Sequence, residues 1–211
     1  MNPLRATETL DLDPQHQKWK GALNLPNLLT LSRIFLVPVF ILTFSTPTVT
    51  RSWAAAFVFG VAALTDWFDG YLARRRAEVT TIGRLLDPIA DKFLVVSGLI
   101  LLVQFQRIAA WVAIIFIVRE IVITGMRAIA ATEGVVISAG SLGKYKVILQ
   151  IFGILILILQ DAVSLPFVSV SLLGNGFLYM ALGFSLVSGA QYFARVFGTL
   201  KLSSSHDRRS Q

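Results

Sequence analysis

Long apolar stretches alternate with short polar segments along most of the chain. Several of these stretches approach the roughly 20 residues that a helix needs to cross a bilayer. The run from Asn24 to Asn27 marks the start of the first helix. The pattern predicts an all-α integral membrane protein, a bundle of six transmembrane helices at about 28–46, 53–74, 83–103, 108–131, 145–160 and 172–197.

The same pattern divides the chain into three parts. Residues 1–23 are polar and lack the apolar core of a signal peptide, so they are predicted to be a cytoplasmic segment. Residues 24–200 form one membrane domain, and residues 201–211 a cytoplasmic tail. The composition agrees, because 55% hydrophobic residues is high for a soluble domain. The absence of cysteine excludes disulfides, thiol catalysis and zinc–thiolate sites.

Basic residues are distributed unevenly between the two ends of the predicted bundle. Most of the 19 lysines and arginines fall in the connections on the side of the N-terminus, whereas Arg51 and Arg107 fall on the other side. By the positive-inside rule, both termini and residues 75–82 face the cytoplasm. The net charge of +7 suits anionic lipid and phosphorylated substrates. Nucleic acid is not an expected partner, because the charge is dispersed between apolar spans.

Four carboxylates lie at adjoining ends of the second and third predicted helices. Asp66 and Asp69 share one helical face, and Asp87 and Asp91 form a stripe one turn apart. Clustered carboxylates repel one another in a low dielectric unless cations hold them together, and hard divalent ions prefer oxygen ligands. The sequence therefore predicts a divalent-metal site here. The alternative is structural pairing of the carboxylates with neighbouring basic residues.

The spacing around these carboxylates resembles the signature of the CDP-alcohol phosphotransferase family. The pattern D-x2-D-G-x2-A-R-x8-G-x3-D-x3-D is met at every position between Asp66 and Asp91. The resemblance implies an integral membrane enzyme that binds a CDP-linked donor with divalent metals. It also implies transfer of the phosphoryl half of the donor to an alcohol, release of CMP, and a homodimer.

The resemblance also implies roles for individual residues. One metal would be held by Asp66, Asp69 and Asp87, and a second by Asp66, Asp87 and Asp91, with Mg²⁺ or Mn²⁺ as the ions. Asp91 would also take the proton from the acceptor hydroxyl. The residues expected to bind CDP-diacylglycerol are Gly70, Ala73, Arg74 and Gly83, with Pro26, Asn27 and Thr80 as further candidates.

A second group of charges lies in and beside the fourth and fifth predicted helices. Arg119 and Glu120 interrupt an apolar run, and Arg127, Lys144 and Lys146 lie near its cytoplasmic end. A buried arginine needs an anionic partner, and guanidinium groups bind phosphate well. The four cations are therefore predicted to hold the phosphate of an acceptor. The sequence leaves open that Arg119 instead pairs with Glu120 or with an aspartate of the cluster.

Longer runs within residues 24–199 resemble a bacterial branch of the same family, the phosphatidylglycerophosphate synthases. These runs extend from Asn24 to Arg33, from Arg119 to Arg127 and from Gly143 to Lys146. They imply transfer of the phosphatidyl group of CDP-diacylglycerol to sn-glycerol 3-phosphate at the cytoplasmic face of the bacterial inner membrane. Another acceptor, such as inositol phosphate, and a divalent-cation transporter are the alternatives.

Overall fold

The computed structural model describes residues 25–72, 81–132 and 141–207, with side chains for 32, 35–65, 92–132 and 142–198. Within these ranges the chain is entirely helical outside its connections and contains no strand. The predicted helical class is therefore confirmed. The six helices of these ranges are α1 (Leu25–Phe44), α2 (Val49–Leu72), α3 (Thr81–Gln104), α4 (Ala110–Thr132), α5 (Ser141–Ile158) and α6 (Val170–Asp207).

Most helix ends fall within a few residues of those that the hydrophobic pattern predicts. The first helix begins at Leu25, three residues before the predicted start of the first span at about 28, with Pro26 in its first turn. Thr48 caps α2, because its Oγ1 accepts a hydrogen bond from the backbone N–H of Arg51 at 3.4 Å. The last helix is longer than predicted and continues to Asp207. No proline follows Phe197 to stop it, so the helix extends into residues that the sequence assigns to the tail.

The core is built from large apolar side chains on all helices from α1 to α6. Phe40 stacks on Phe44 with 5.9 Å between ring centroids and contacts Phe59 of α2 at 5.3 Å. Gly98 brings α3 close to its neighbours, because an added Cβ would lie 3.1 Å from Phe59 and 3.2 Å from Ile154 of α5. At Gly98, α3 therefore packs against both α2 and α5.

Glycines allow α5 and α6 to approach closely. A Cβ at Gly153 would lie 2.8 Å from Leu178, and one at Gly174 would lie 2.6 Å from Leu157. Both distances are too short for real contacts, so the packing of these two helices depends on glycine at these positions. A Cβ added at Gly183, another small residue of α6, would have no described atom within 4 Å. Close packing therefore does not involve every small residue of this helix.

A turn after α3 positions a buried arginine. Gln106 has φ 54°, and the N–H groups of Gln106 and Arg107 bond to the carbonyls of Val103 and Leu102. This bonding pattern terminates the helix with a left-handed residue. The Arg107 guanidinium, 1% exposed, donates to the carbonyls of Leu157 at 2.6 Å and Ile158 at 2.9 Å. Burial lowers the pKa of Arg107, and the nearby Asp161 carboxylate partly offsets this effect.

The outer surface of the bundle is strongly apolar. Phe57 and Leu172 are more than 70% exposed, and many other large apolar side chains are exposed around them. By length and composition, one described helical segment, Val170–Gly198, can cross a membrane, and only about a third of its most apolar window is buried. Shorter apolar helical segments are Phe35–Phe44, Val49–Thr65 and Lys92–Gln104. A surface of this kind is typical of a protein that is covered by lipid or by a partner.

Candidate functional site

The four aspartates lie at the adjoining ends of α2 and α3. Asp66 and Asp69 fall in the last two turns of α2, and Asp87 and Asp91 fall in the first three turns of α3. Gly70 and Gly83 lie on the same helical segments, and Pro26 and Asn27 lie in the first turn of α1. The side chains at these positions lie outside the described set, as do the whole of Ala73, Arg74 and Thr80.

Contacts deeper in the bundle define how α2 and α3 run past each other. Phe59 packs against Gly98, and one turn further along α2 Ala63 lines the same cavity as Leu94. The two helices are therefore antiparallel. The four aspartates, at the end of α2 and the start of α3, therefore lie toward the same end of this helix pair. Among the described side chains, which exclude these four, no group of three or more acidic or histidine residues could hold a metal.

Glu120 lies at the centre of the second group of charges. Its Oε2 accepts hydrogen bonds from Lys146 Nζ of α5 and, at 3.2 Å, from Arg119 Nη1. The Lys146 side chain is only 7% exposed. A buried ammonium without a counter-ion would be strongly destabilising, so Glu120 compensates the charge that Lys146 brings into the bundle.

Arg119 uses its remaining bonds to reach α6. Its Nε donates to the backbone carbonyl of Ser185 at 3.1 Å, and its Nη2 donates to Ser188 Oγ at 2.7 Å. A Cβ added at Gly189 would lie 3.4 Å from Arg119 Nε, so a small residue there leaves room for the guanidinium. The pairing of Arg119 with Glu120, which the sequence leaves open, is thus present, together with bonds that tie α4 to α6.

Lys92 joins this group from α3. Its Nζ donates to Thr124 Oγ1, and the Thr124 hydroxyl donates to the backbone carbonyl of Glu120 at 2.8 Å. Lys92 directly follows Asp91 in the chain. Thr124 and Glu120 therefore link Lys92 of α3, Arg119 of α4 and Lys146 of α5. This group lies where the aspartate-bearing segment of α3 ends.

The other two predicted acceptor-binding cations lie apart from Glu120. The Arg127 guanidinium is 5.6 Å from the centre of the Tyr192 ring of α6, a cation–π contact, and Arg127 is exposed. Lys144 is also exposed. In the described part of the chain, no contact joins either residue to Arg119 or Lys146. The structure thus brings together two of the four predicted cations.

A cavity of about 100 Å³ lies beside the Lys146–Glu120 pair, between α2, α3, α4 and α5. Its polar lining residues are Lys92, Glu120, Lys146 and Gln150, and its deeper part is apolar, with Leu99 and Phe116. Gln150, within the predicted helix 145–160, is 4% exposed and lies one turn beyond Lys146. A lone amide in an apolar helix was the signal that could have indicated a polar site there.

Comparison with known proteins gives a consistent family. A family model described as CDP-alcohol phosphatidyltransferase matches residues 23–187. A protein of Bacillus subtilis (strain 168) named CDP-diacylglycerol–glycerol-3-phosphate 3-phosphatidyltransferase is 39% identical over 200 residues, which cover 86% of this chain and 99% of the relative. Proteins of the same name from Rickettsia bellii and Pseudomonas fluorescens are 36% and 39% identical. They align with 81% and 85% of this chain and with 93% of their own lengths.

Proposed function

The chain belongs to the CDP-alcohol phosphatidyltransferase family, and we propose that it transfers the phosphatidyl group of CDP-diacylglycerol to sn-glycerol 3-phosphate. The products are phosphatidylglycerol phosphate and CMP. Similar proteins that align with most of this chain have names that state this reaction. Family membership also favours an enzyme over a cation transporter. The observation that carries the proposal is the group of cations around Glu120. One of these cations, Lys92, directly follows the aspartate-bearing segment of α3.

The aspartates of α2 and α3 fit the metal ions that the family resemblance implies. Carboxylate oxygens are the usual ligands of Mg²⁺ and Mn²⁺, and the acidic segments lie at the adjoining ends of α2 and α3. We assign Asp66, Asp69, Asp87 and Asp91 to two ions. When bound, such ions neutralise charge that develops on the departing CMP. Gly70, Ala73, Arg74 and Gly83, with Pro26, Asn27 and Thr80, are the proposed CDP-diacylglycerol contacts.

In the proposed reaction, Asp91 accepts the proton of the attacking hydroxyl of the acceptor. The acceptor oxygen forms a bond to the phosphorus that carries the diacylglycerol, and the bond from that phosphorus to CMP breaks. One direct displacement inverts the configuration at this phosphorus. A carboxylate is a weak base for an alcohol, so a proton-accepting role for Asp91 requires an environment that matches its pKa to the task.

The cations near Glu120 suit the phosphate of the acceptor. A dianionic phosphate placed beside four carboxylates needs compensating positive charge. Lys92, Arg119 and Lys146 form one group that begins directly after Asp91 in α3. Arg127 and Lys144 remain part of the proposal as outer contacts that attract the anion. Since both are exposed, each should contribute less than the buried Lys146.

We also propose a location in the bacterial inner membrane, with the site facing the cytoplasm. The acyl chains of the donor stay in lipid, which the apolar outer surface of the bundle suits. The soluble acceptor and CMP enter and leave on the side that the positive-inside rule makes cytoplasmic. We further propose a homodimer, on the basis of the family resemblance alone.

An acceptor panel with the purified protein tests the function. CMP release from CDP-diacylglycerol is measured with glycerol 3-phosphate, inositol phosphate, inositol, serine and phosphatidylglycerol as acceptors. We expect turnover with glycerol 3-phosphate, its loss on chelation of divalent cations, and its recovery on addition of Mg²⁺ or Mn²⁺. Preferential turnover of another acceptor would change the assigned substrate, and the absence of CMP release with every acceptor would contradict the enzyme assignment.

A further inference from the structure

The cavity beside Lys146 contains a polar group without a described partner. Gln150 is 4% exposed and lines the cavity, yet its side-chain amide forms no hydrogen bond with any described residue. The fully buried side-chain atoms without a partner in the described residues belong to Ser52, Gln160 and Ser185, so the Gln150 amide is open to the cavity. An amide that opens onto a cavity from within an apolar helix is a candidate for binding a polar ligand.

The chemistry of the cavity restricts what that ligand is. One water needs roughly 10–15 Å³ of such space, so about 100 Å³ accommodates roughly seven to ten groups the size of water, which suits a small polar molecule. Lys92 and Lys146 can only donate hydrogen bonds, which suits a phosphate oxygen. The Gln150 amide can both donate and accept, which suits a hydroxyl group, since a hydroxyl does the same.

We propose that Gln150 is a specificity-determining residue that binds the middle hydroxyl of the glycerol phosphate acceptor in this cavity. The inference rests on the proposed function, because it requires glycerol 3-phosphate as the acceptor. Lys146 lies one helical turn before Gln150 in α5, so a phosphate beside Lys146 leaves the adjoining carbon within reach of the amide. Lys92, which directly follows Asp91 in the chain, lines the same cavity.

The experiment compares two acceptors in the full-length protein in detergent. One is glycerol 3-phosphate, and the other is 3-hydroxypropyl phosphate, which keeps the phosphate and the terminal hydroxyl but lacks the middle hydroxyl. We expect the unmodified protein to prefer glycerol 3-phosphate by roughly 10-fold or more in kcat/KM. A site built to bond a hydroxyl discriminates against an analogue that leaves its polar group unpaired.

Gln150→Leu and Gln150→Met remove the amide and keep an apolar side chain of similar size. In both variants the ratio of kcat/KM for glycerol 3-phosphate to that for the analogue should fall to about 3 or less. We expect this fall mainly through a higher KM for glycerol 3-phosphate. The KM for CDP-diacylglycerol should stay the same. Ser52→Ala is the matched control. Ser52 is buried and its hydroxyl also lacks a partner, but it lies 14 positions before Asp66 on α2, roughly 20 Å away by helical rise.

The possible results separate this inference from the proposed function. If the unmodified protein does not use glycerol 3-phosphate, the proposed function fails. If it uses glycerol 3-phosphate but accepts both acceptors equally, Gln150 does not select for the hydroxyl. The inference is also overturned if both variants still prefer glycerol 3-phosphate to the analogue. Complete rejection of the analogue by the unmodified protein and by both variants counts as such a result. Thermal unfolding of each variant checks that the amide was removed from a folded protein.

Discussion

At the scale of single residues, burial separates the cations that the sequence groups together. Lys144 and Lys146 are two positions apart and look equivalent in the sequence, as possible phosphate ligands or as membrane anchors. In the structure Lys144 is exposed, whereas the Lys146 side chain is 7% exposed and paired with Glu120. A charge–phosphate contact strengthens as water is excluded, so the two lysines should differ in their effect on acceptor binding.

We expect Lys146→Met to raise the KM for glycerol 3-phosphate by about 10- to 150-fold. Loss of one charge-assisted hydrogen bond costs roughly 1.5–3 kcal/mol, and 1.4 kcal/mol corresponds to a factor of ten. The KM for CDP-diacylglycerol should change little. Steady-state kinetics with each substrate varied in turn measures both values.

Lys144→Met provides the comparison for this prediction, with a rise of only a few-fold. Because Lys146→Met also leaves Glu120 with Arg119 as its remaining partner, thermal unfolding is measured alongside the kinetics. Equal effects of the two substitutions on the acceptor KM would show that burial beside Glu120 does not define the phosphate site.

At the scale of helices, close approach of α5 to α6 depends on particular glycines. Gly153 faces Leu178, and the nearest atoms to an added Cβ include the backbone nitrogen of Leu178 at 3.1 Å. A backbone atom cannot move aside as a flexible side chain can. Helix packing in membranes relies on small residues at such contacts, because the lipid removes the hydrophobic drive for association.

We therefore expect Gly153→Ala to destabilise the protein by roughly 1–3 kcal/mol, the usual cost of overpacking a close contact. Gly183→Ala is the matched control on the partner helix, since a Cβ there meets no described atom within 4 Å. This control should be neutral or stabilising by up to about 1 kcal/mol, because alanine favours the helix. Reversible unfolding in mixed detergent micelles measures both changes; a neutral Gly153→Ala would contradict the close packing.

At the scale of the whole molecule, orientation in the membrane can be tested with cysteine chemistry. The chain has no native cysteine, so each introduced thiol is unique. Phe167 lies in the connection between α5 and α6 and is 95% exposed. That connection is on the side opposite residues 75–82 in the predicted topology, so it is predicted to lie outside the cell.

We expect Phe167→Cys to react with a membrane-impermeant maleimide added to intact cells, and Glu78→Cys to react only after the cells are permeabilised. The positive-inside rule is the physical reason, since basic residues concentrate near position 78. The reverse pattern of labelling would invert the topology and place the aspartates on the outer face.

The hydrophobic pattern and the aspartate spacing were enough to predict the helices, the acidic segments and the family. Each of these depends on residues close in sequence: apolar length defines a helix, and a turn of 3.6 residues places Asp66 and Asp69 on one face. The extension of α6 to Asp207 was missed because no local signal marked the end of that helix.

The partners of the buried charges depended on tertiary structure. The sequence could propose Arg119, Lys146 and Glu120 as neighbours, but the bonds of Arg119 to Ser185 and Ser188 join positions more than 60 residues apart. The cavity beside Gln150 likewise exists only where four helices meet. Sequence periodicity defines which face a residue occupies on its own helix. Packing between distant segments decides which helix lies against that face. It also decides whether a polar side chain finds a partner there.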